Sequence, residues 1–358
     1  MPREGKTSRT ILGTCAQNCT FVVAIFSIAR PELVCQRTLA FLAAQGVAQT
    51  STYVFTAPGF HASETKPDVT MYKEVLGSQG FDKVNVVRGR QGLPQQINFI
   101  NAFFDAGQYI LFMSDTVRGC GVRHGLASRR KVPLPRRGIH ALMSLAEKSM
   151  RETGALAWSV NCAKTFMSMG VDIASLKFGG LNGNMFGMRA GTLAKGLPPW
   201  CGLAFDYFLA AVLFQSAGCL LRFRFVSVEN TYRMPGGHSM PKRARLKAQR
   251  ACCARICNMF PDLMSLVRGA SRTAKSCRLP IRTSPVGPRP LEFRKRSQEA
   301  GRPRKYFVNR AATGTERSRA ARGAETYLAG SRGRKRVHFS DRAATSTERA
   351  RACRARSA

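Results

Sequence analysis

The sequence predicts an α/β fold, in which helices flank a mostly parallel β-sheet. The first observation is the alternation of strand and helix patterns through residues 20–240, which is typical of βαβ units. The second is the apolar, partly β-branched run at residues 20–28, as expected of an interior parallel strand. The third is a hydrophobic content of 44%, which is enough for a substantial core in 358 residues.

Local start and stop signals place the individual elements. Pro31 stands at the favoured first turn of a helix whose apolar stripe ends before Gly46. Further strands are predicted at 51–57, 84–87, 109–113, 156–160, 177–178, 184–189 and 220–230. Further helices are predicted at 71–76, 93–105, 139–153 and 206–215, with a possible helix at 243–267. The basic, proline-broken segment 128–137 is expected to be a loop.

The formal net charge of +37 is concentrated towards the end of the chain. Residues 241–358 hold 31 of the 57 Lys and Arg but only 7 of the 20 Asp and Glu, a net charge of +24. Such a segment attracts a polyanion without reading its sequence, and its scarcity of large apolar side chains favours disorder. Codon bias or a misread reading frame is the alternative origin of this composition.

These patterns divide the chain into four parts. Residues 1–19 form a basic N-terminal extension, and residues 20–240 form the α/β domain. Residues 241–270 form a possible helical extension, and residues 271–358 form a basic, low-complexity, largely disordered tail.

The cysteines and the N-terminal region indicate an intracellular protein. Most of the 12 cysteines are scattered singly, and the clustered ones lack the two-residue spacing of zinc knuckles, so reduced thiols are expected. The apolar run at 21–28 is too short to span a bilayer and leads directly into a helical pattern. We expect no secretion and no membrane partner, with localisation in the nucleus of a eukaryotic cell or otherwise in the cytoplasm.

The segment 88–120 carries the strongest functional pattern. A glycine turn with Gly92 precedes a helix that carries Gln96 and Asn98, and a buried strand at 109–113 then leads to Asp115. In open α/β sheets, ligands bind beyond the carboxyl ends of strands, where a carboxylate can hold a metal-bound phosphate. The pattern therefore points to a nucleotide-sugar site. A plain strand-to-turn transition is the alternative interpretation of Asp115.

Several segments together resemble the TET/JBP-associated glycosyltransferases, a GT-A-like (Rossmann-like) family linked to modified pyrimidines in DNA. The resemblance covers residues 22–238, about 60% of the chain, and is carried by order and spacing rather than by any one motif. The matching segments are AIFSIARPELVCQRTLAFLAAQGV, STYVFTA, MYKEVLGSQGF, GLPQQINFI, YILFMSD, FDYFLAAVLFQSAG and TYRMPGGHS.

The resemblance implies roles for particular donor-site residues. Arg30 matches an arginine that meets the nucleotide, and Gln96 and Asn98 match a helix motif in which Ile97 replaces the family's arginine. Asp115 is the one acid kept from the family's metal-binding triplet. Gly92 belongs to the turn before that helix.

The resemblance also implies a metal and a catalytic base. Mg or Mn bound by Asp115, with His238 as a further ligand, would hold the diphosphate of UDP-glucose or a similar donor; His238 is alternatively a surface histidine. Asp206 would take the proton of the acceptor hydroxyl, or else it is a helix N-terminal residue stabilised by the helix dipole.

The function implied is transfer of a sugar from a nucleotide diphosphate to a hydroxymethylated pyrimidine in DNA, with the basic tail on the phosphates. Two alternatives remain. One is a GT-A-like transferase that acts on protein or glycan. The other is a catalytically weakened relative that binds nucleic acid through an α/β scaffold.

Overall fold

A ten-stranded mixed β-sheet organises the described part of the chain. The computed structural model describes residues 20–57, 68–123, 131–161, 174–230, 241–266 and 281–283. The predicted α/β class, with a largely parallel sheet and flanking helices, is confirmed. Of the predicted disordered tail at 271–358, only residues 281–283 are described, and they form a short strand instead; the rest lies outside the described residues, and the domain boundaries stay a prediction.

The strands are numbered in chain order. They are β1 (Phe21–Ser27), β2 (Thr52–Thr56), β3 (Asn85–Arg88), β4 (Tyr109–Ser114), β5 (Val117–Arg123), β6 (Lys131–Pro133), β7 (Ala157–Asn161), β8 (Ala174–Ser175), β9 (Met185–Arg189) and β10 (Leu221–Asn230), with β11 (Met264–Leu266) and β12 (Ile281–Thr283) in a separate pair. The order in the main sheet is β3-β2-β1-β4-β9-β7-β10-β5-β6, and β8 pairs with β10.

The helices are numbered in the same way. Helix α1 (31–44) is built of Pro31–Val34, a π-helical segment Cys35–Leu39, and Ala40–Ala44. The others are α2 (Asp68–Ser78), α3 (Leu93–Phe103), α4 (Gly138–Thr153), α5 (Phe205–Ala217) and α6 (Lys242–Met259). Short 3-10 segments lie at Gln49–Ser51 and Pro199–Ala204.

The first four strands of the sheet, β3-β2-β1-β4, are all parallel. Parallel neighbours need crossover connections, and helices α1 to α3 supply the regular parts of them. Beyond β4 the sheet becomes mixed, because β9 runs antiparallel to both β4 and β7. The carboxyl ends of β1 to β4 therefore meet at one edge of the sheet.

Two apolar layers cover the two faces of the sheet. Alternate residues of β1 divide between them: Ile25 joins the layer under α1, α2 and α4, whereas Ala24 joins the layer under α3, α5 and α6. Phe112 of β4 stacks on Phe186 of β9 in the second layer, with their ring centroids 4.7 Å apart. We call these layers the first face and the second face of the sheet.

Several elements differ from the sequence prediction. Strands β5 and β6 were not predicted, because two glycines and two arginines interrupt the apolar pattern of β5 and because Pro133 obscures β6. The predicted strand at 177–178 is absent there, and β8 lies just before it. The long helix predicted to end at 267 ends at Met259, after which β11 follows.

Helix α6 packs into the core rather than extending away from it. Its residues Cys253 and Ile256 are fully buried on the second face, and Phe260, which follows the helix, packs against Phe208 of α5 with ring centroids 5.6 Å apart. The seven cysteines in the described ranges form no disulfide with one another, and all are buried. By length and composition alone, the stretch Pro199–Ala217 could cross a membrane, but 56% of it is buried in the protein, as in a core helix.

Candidate nucleotide-binding site

The carboxyl edge of the parallel strands gathers the polar residues of the candidate site. Ser27 ends β1, Thr56 ends β2, Arg88 ends β3 and Asp115 directly follows β4. Ser27 and Asp115 are buried although they are polar, and so is Thr56. Since buried polar groups are costly without partners, their contacts reveal how this edge is arranged.

Asp115 is 1% exposed and is paired with Arg30. The Arg30 Nη2 atom lies 2.9 Å from Asp115 Oδ1 and 2.8 Å from Oδ2. The Ser27 hydroxyl donates to Oδ2 over 2.8 Å. Burial raises the pKa of the Asp115 carboxyl, and the guanidinium of Arg30 opposes that rise. The sequence-predicted residues Arg30 and Asp115 are thus in direct contact.

Tyr72 of α2 forms hydrogen bonds with Ser27 and with the backbone of Arg30. Its hydroxyl lies 2.7 Å from Ser27 Oγ and accepts the backbone N–H of Arg30 over 2.9 Å. Because the single Ser27 proton goes to Asp115, the Tyr72 hydroxyl must donate to Ser27. Tyr72 is fully buried, and burial raises its pKa to about 12, so it stays a neutral donor.

The backbone before Arg30 is strained. Ala29 has φ +49°, in the left-handed region that residues with a Cβ rarely adopt. Pro31 then begins α1 with its fixed φ, so Arg30 stands between a strained residue and a rigid helix start. Such strain persists only where surrounding contacts enforce it, and the contacts of Arg30 with Asp115 and Tyr72 are the ones available here.

A cleft of about 500 Å³ opens at the carboxyl end of β3. It is lined by Arg88, Gly89, Arg90, Gln91 and Phe99. The guanidinium of Arg90 lies 5.5 Å from the ring centroid of Phe99, a cation–π distance. The cleft therefore combines two exposed cations with an aromatic wall, a surface suited to a phosphorylated ring compound.

Gln96 forms the floor beside this cleft. It is 3% exposed, and its Oε1 accepts the backbone N–H of Arg90. A Cβ at Gly89 would come within 2.2 Å of the Gln96 side chain, so only glycine lets the turn close over it. The Gln96 Nε2 atom is buried and has no partner within the described chain. Buried donors without a partner are uncommon in folded proteins, so this one marks a place where an ordered water or a ligand could supply the partner.

Gly92 and Asn98 shape the same region without lining the cleft. Gly92 caps the start of α3 with φ +86°, where any side chain would be strained and would meet Gln95. Asn98 donates from Nδ2 to the carbonyl of Leu197 over 2.8 Å and accepts the Leu197 N–H over 2.7 Å. Asn98 thus ties the segment before α5 to α3.

Asp206, the candidate base, lies at the start of α5. It is half-buried, and its Oδ1 accepts the N–H of Tyr207 over 3.1 Å. Burial raises its pKa to about 6. A Cβ at Gly183 would meet Phe205 at 3.1 Å and the Cβ of Asp206 at 3.6 Å, so this glycine allows α5 to approach closely.

Asp206 lies near the carboxyl edge of the sheet, but on the face opposite to Asp115. Gly183 precedes Asn184, whose carbonyl accepts the N–H of Ser114 over 2.9 Å. Asp115 contacts Ser27 and lies on the first face with Tyr72, whereas α5 packs on the second face. The cleft, through Phe99 of α3, lies on the second face as well. Asp206 and the cleft therefore share a side, and Asp115 does not.

The donor set at Asp115 does not fit a divalent cation. Such a cation needs several oxygen ligands, and both Asp115 oxygens are engaged by Arg30 and Ser27. The described ranges contain no cluster of three or more His, Cys, Asp and Glu side chains that could hold a metal ion. His238 and the Gly236-Gly237 pair lie outside the described residues, so their predicted contribution stays a prediction.

The sequence reasoning missed four residues of the site. They are Ser27, Tyr72, Arg88 and Arg90. The signal for the two arginines was present, because an Arg-Gly-Arg run directly after a predicted parallel strand places cations at the ligand edge. No local pattern could pair Tyr72 with Ser27, since 45 residues separate them.

Comparisons with known proteins gave structural neighbours only. No family model matches the sequence, and no curated protein matches it either. Among solved structures, the mannosyltransferase PcManGT from Pyrobaculum calidifontis, in complex with GDP-Man and Mn2+, aligns with a TM-score of 0.46 and 11% identity over 88% of this chain and 82% of its own.

Two further neighbours show similar values. S. aureus TarS 1-349 in complex with UDP-GlcNAc aligns with a TM-score of 0.43 and 12% identity over 67% of each chain. GalNAc-T7 with UDP, GalNAc and Mn2+ aligns with a TM-score of 0.40 and 10% identity over 68% of this chain and 48% of its own. At these scores the similarity supports neither their activities nor their ligands for this chain.

Proposed function

We propose that this protein is a nucleotide-sugar-dependent glycosyltransferase. The observation that carries the proposal is the basic, aromatic-walled cleft at the carboxyl end of β3, with the unpaired Gln96 amide beside it. A cleft at this edge of a parallel sheet is where α/β proteins bind phosphorylated ligands. Arg88 and Arg90 are the cations available to the diphosphate, and Phe99 is available to the base.

Asp206 is the proposed base for the acceptor. In the transfer, the acceptor oxygen bonds to the anomeric carbon while the bond from that carbon to the diphosphate breaks. The hydroxyl proton passes to the Asp206 carboxylate. A pKa of about 6 keeps most of this carboxylate ionised at neutral pH yet makes it more basic than an exposed acid. Its place on the same face as the cleft supports this role.

For the acceptor we propose DNA that carries a hydroxymethylated pyrimidine. Helix α6 offers a further observation in favour of a polyanion. Arg243, Lys247 and Arg250 are exposed, and their spacing places them in one stripe about 10 Å long. No ion pair within the described part of the chain engages them. We call these three residues the α6 stripe.

Helix α6, which carries the stripe on its exposed side, lies close to the proposed base through its buried side. Burial raises the pKa of Cys252 on α6, and the nearby Asp206 carboxylate adds to that rise. Arg255 lies 4.2 Å from the ring centroid of Trp200, in the 3-10 segment just before α5. Because the apolar side of α6 is buried on the second face, the helix has little apolar surface to insert into a bilayer. A hydrated phosphate backbone suits it better.

The satisfied ion pair at Asp115 favours a second candidate function. A buried carboxylate already paired with Arg30 is also what a catalytically weakened relative would retain as a structural contact. Such a protein would bind DNA through its cations and would leave nucleotide sugars unchanged. A transferase acting on protein or glycan stays the third alternative, and no contact among the residues that the structure describes favours it.

The test is a transfer assay with defined acceptors. Purified protein is incubated with hydroxymethylated DNA or plain DNA and with a panel of nucleotide sugars that includes UDP-glucose, and the nucleosides are then analysed by mass spectrometry. The proposal predicts a hexose-sized mass increase on the hydroxymethylated base only. Asp206→Asn should lower the yield by at least 100-fold. Absence of any product, together with intact DNA binding, would favour the weakened relative instead.

A further inference from the structure

The contacts of Asp115 conflict with the role that its position suggests. An acid at the end of β4 is placed to share a metal ion with a diphosphate, yet Arg30 spans both of its oxygens at 2.8 and 2.9 Å. The Ser27 hydroxyl holds Oδ2 as well. Its neighbours in sequence, Ser114 and Thr116, are not acids, and their hydroxyls bond to each other over 2.9 Å. The carboxylate therefore anchors a cation that belongs to the chain.

Arg30 keeps unused hydrogen-bond donors after it has paired with Asp115. Its Nη2 atom serves Asp115 and its Nε atom is buried without a partner among the described residues, while 16% of the side chain stays exposed to a ligand. Guanidinium groups recognise phosphate oxygens with several donors in one plane, and their charge is permanent. The strained Ala29 and the Tyr72 hydroxyl fix the backbone of this arginine. Arg30 is thus a rigidly held donor at the edge where a diphosphate would lie.

The Arg30–Asp115 pair lies on the first face and the cleft on the second, so a ligand that reaches both must cross the carboxyl edge of the sheet. Strand β2 separates β1 from β3, so the two carboxyl ends are about 10 Å apart. A nucleoside in the cleft at β3 would extend its diphosphate towards β1. Counting charges along that path, Arg30 and Asp115 cancel, and Arg88 and Arg90 contribute two positive charges. Those two charges equal the charge of one divalent cation.

We propose that Arg30, held by Asp115, together with Arg88 and Arg90, takes the place of a divalent cation, so that the nucleotide diphosphate binds without metal. This inference rests on the proposed function. In this arrangement Asp115 is a positioning residue, because it acts on the diphosphate through Arg30. The diphosphate leaves with its negative charge balanced by the two positive charges of Arg88 and Arg90, while Arg30 donates hydrogen bonds to it.

The first test measures donor binding rather than turnover. The full chain is titrated by calorimetry with UDP and with GDP, once in EDTA and once in manganese chloride. The expected dissociation constants agree within about threefold between the two conditions. Binding that is tenfold or more tighter in manganese would overturn the inference but leave the proposed function standing. No binding in either condition would overturn both.

The second test replaces each member of the Arg30–Asp115 pair in turn. Arg30→Gln releases Asp115, and we expect a loss of at least tenfold in affinity in EDTA. Asp115→Asn leaves the guanidinium in place but less firmly held, and we expect a loss of about threefold that manganese does not repair. If the Asp115→Asn protein instead loses all binding in manganese while Arg30→Gln binds normally, the carboxylate is a metal ligand and the inference is wrong.

A third variant serves as the control for folding, because it leaves no buried charge without its partner. Arg30→Gln alone leaves a buried carboxylate without its partner and can unfold the protein, whereas the double variant Arg30→Gln/Asp115→Asn buries only neutral groups. The double variant is expected to fold, as judged by its thermal unfolding, and still to lose at least tenfold in affinity. A folded double variant that binds UDP or GDP as tightly as the parent would contradict the inference.

Discussion

The contacts of individual residues show both the strength and the limit of the sequence reasoning. The sequence pattern places Arg30 after the first strand and Asp115 after the fourth, and because β1 and β4 are adjacent and parallel, the two side chains meet. The pattern could not predict the third side chain, Tyr72, that supports this pair. Tyr72 comes from α2, and only the packing of α2 against the first face brings its hydroxyl to Ser27.

The stability of the protein should depend on the Arg30–Asp115 pair as a unit. Removing one member of a buried pair leaves an uncompensated charge, which typically costs about 3–5 kcal/mol. We therefore expect Arg30→Gln to lower the free energy of unfolding by about 3 kcal/mol in urea titrations. Arg30→Gln/Asp115→Asn should recover at least half of that loss. Additive losses in the double variant would show that the two side chains are not coupled.

Asp206 should make stability depend on pH in a defined direction. Because burial raises its folded pKa to about 6, ionisation costs more in the folded state, and stability is lost as pH rises from about 4 through 6. Asp206→Asn should be more stable than the parent above pH 7, on the order of 2 kcal/mol, and equally stable near pH 4. The exposed Asp105→Asn is the charge-matched control. A pH-independent difference for Asp206→Asn would argue against a raised pKa.

At the level of elements, agreement follows from the strength of the local signals. Helix α1 begins at Pro31 as its first-turn proline predicts, and Gly46, with φ +71°, follows its end. Strand β1 is apolar nearly throughout because it lies between two parallel neighbours. Strand β5 is different, since its backbone pairing with β10 stabilises a segment whose side chains carry little strand signal. Long-range pairing therefore decides the elements that composition hides.

Two glycines offer a matched test of how turns place the site. Gly92 has φ +86° and its added Cβ would meet Gln95 at 2.6 Å, whereas Gly77 lies in α2 with nothing within 4 Å. We expect Gly92→Ala to destabilise the protein by about 1–2 kcal/mol and to weaken donor binding. Gly77→Ala should instead stabilise the helix by about 0.5–1 kcal/mol. Urea titration of both variants measures the contrast, and equal shifts would refute it.

In the whole molecule, the two faces of the sheet carry different parts of the proposed site. The first face carries the buried network that holds Arg30, and the second face carries the cleft, Asp206 and α6. The sequence predicted the basic character of the C-terminal third, but it could not predict that α6 packs beside the proposed base. That placement depends on the burial of Cys253 and Ile256 on the second face. The sequence hides this because cations dominate the pattern of α6.

The α6 stripe predicts where DNA affinity resides. Replacing its three cations by glutamine removes about three phosphate contacts, so the salt dependence of binding should flatten by about three units of slope. Lys73 of α2, Lys148 of α4 and Lys83 of the turn before β3 are exposed, and their replacement by glutamine changes the net charge equally. Fluorescence anisotropy with duplex DNA at several salt concentrations compares the two triple variants. Equal slopes for both would mean that net charge alone determines binding.

The most direct test of the central claim is a calorimetric titration of the cleft with UDP and GDP. The parent protein should bind at least one of them, and Arg88→Gln/Arg90→Gln should lose tenfold or more of that affinity, while the control Lys73→Gln/Lys83→Gln should keep it. Unchanged affinity in the Arg88/Arg90 variant, or no binding by the folded parent, would contradict the assignment of a nucleotide-sugar site to this edge of the sheet.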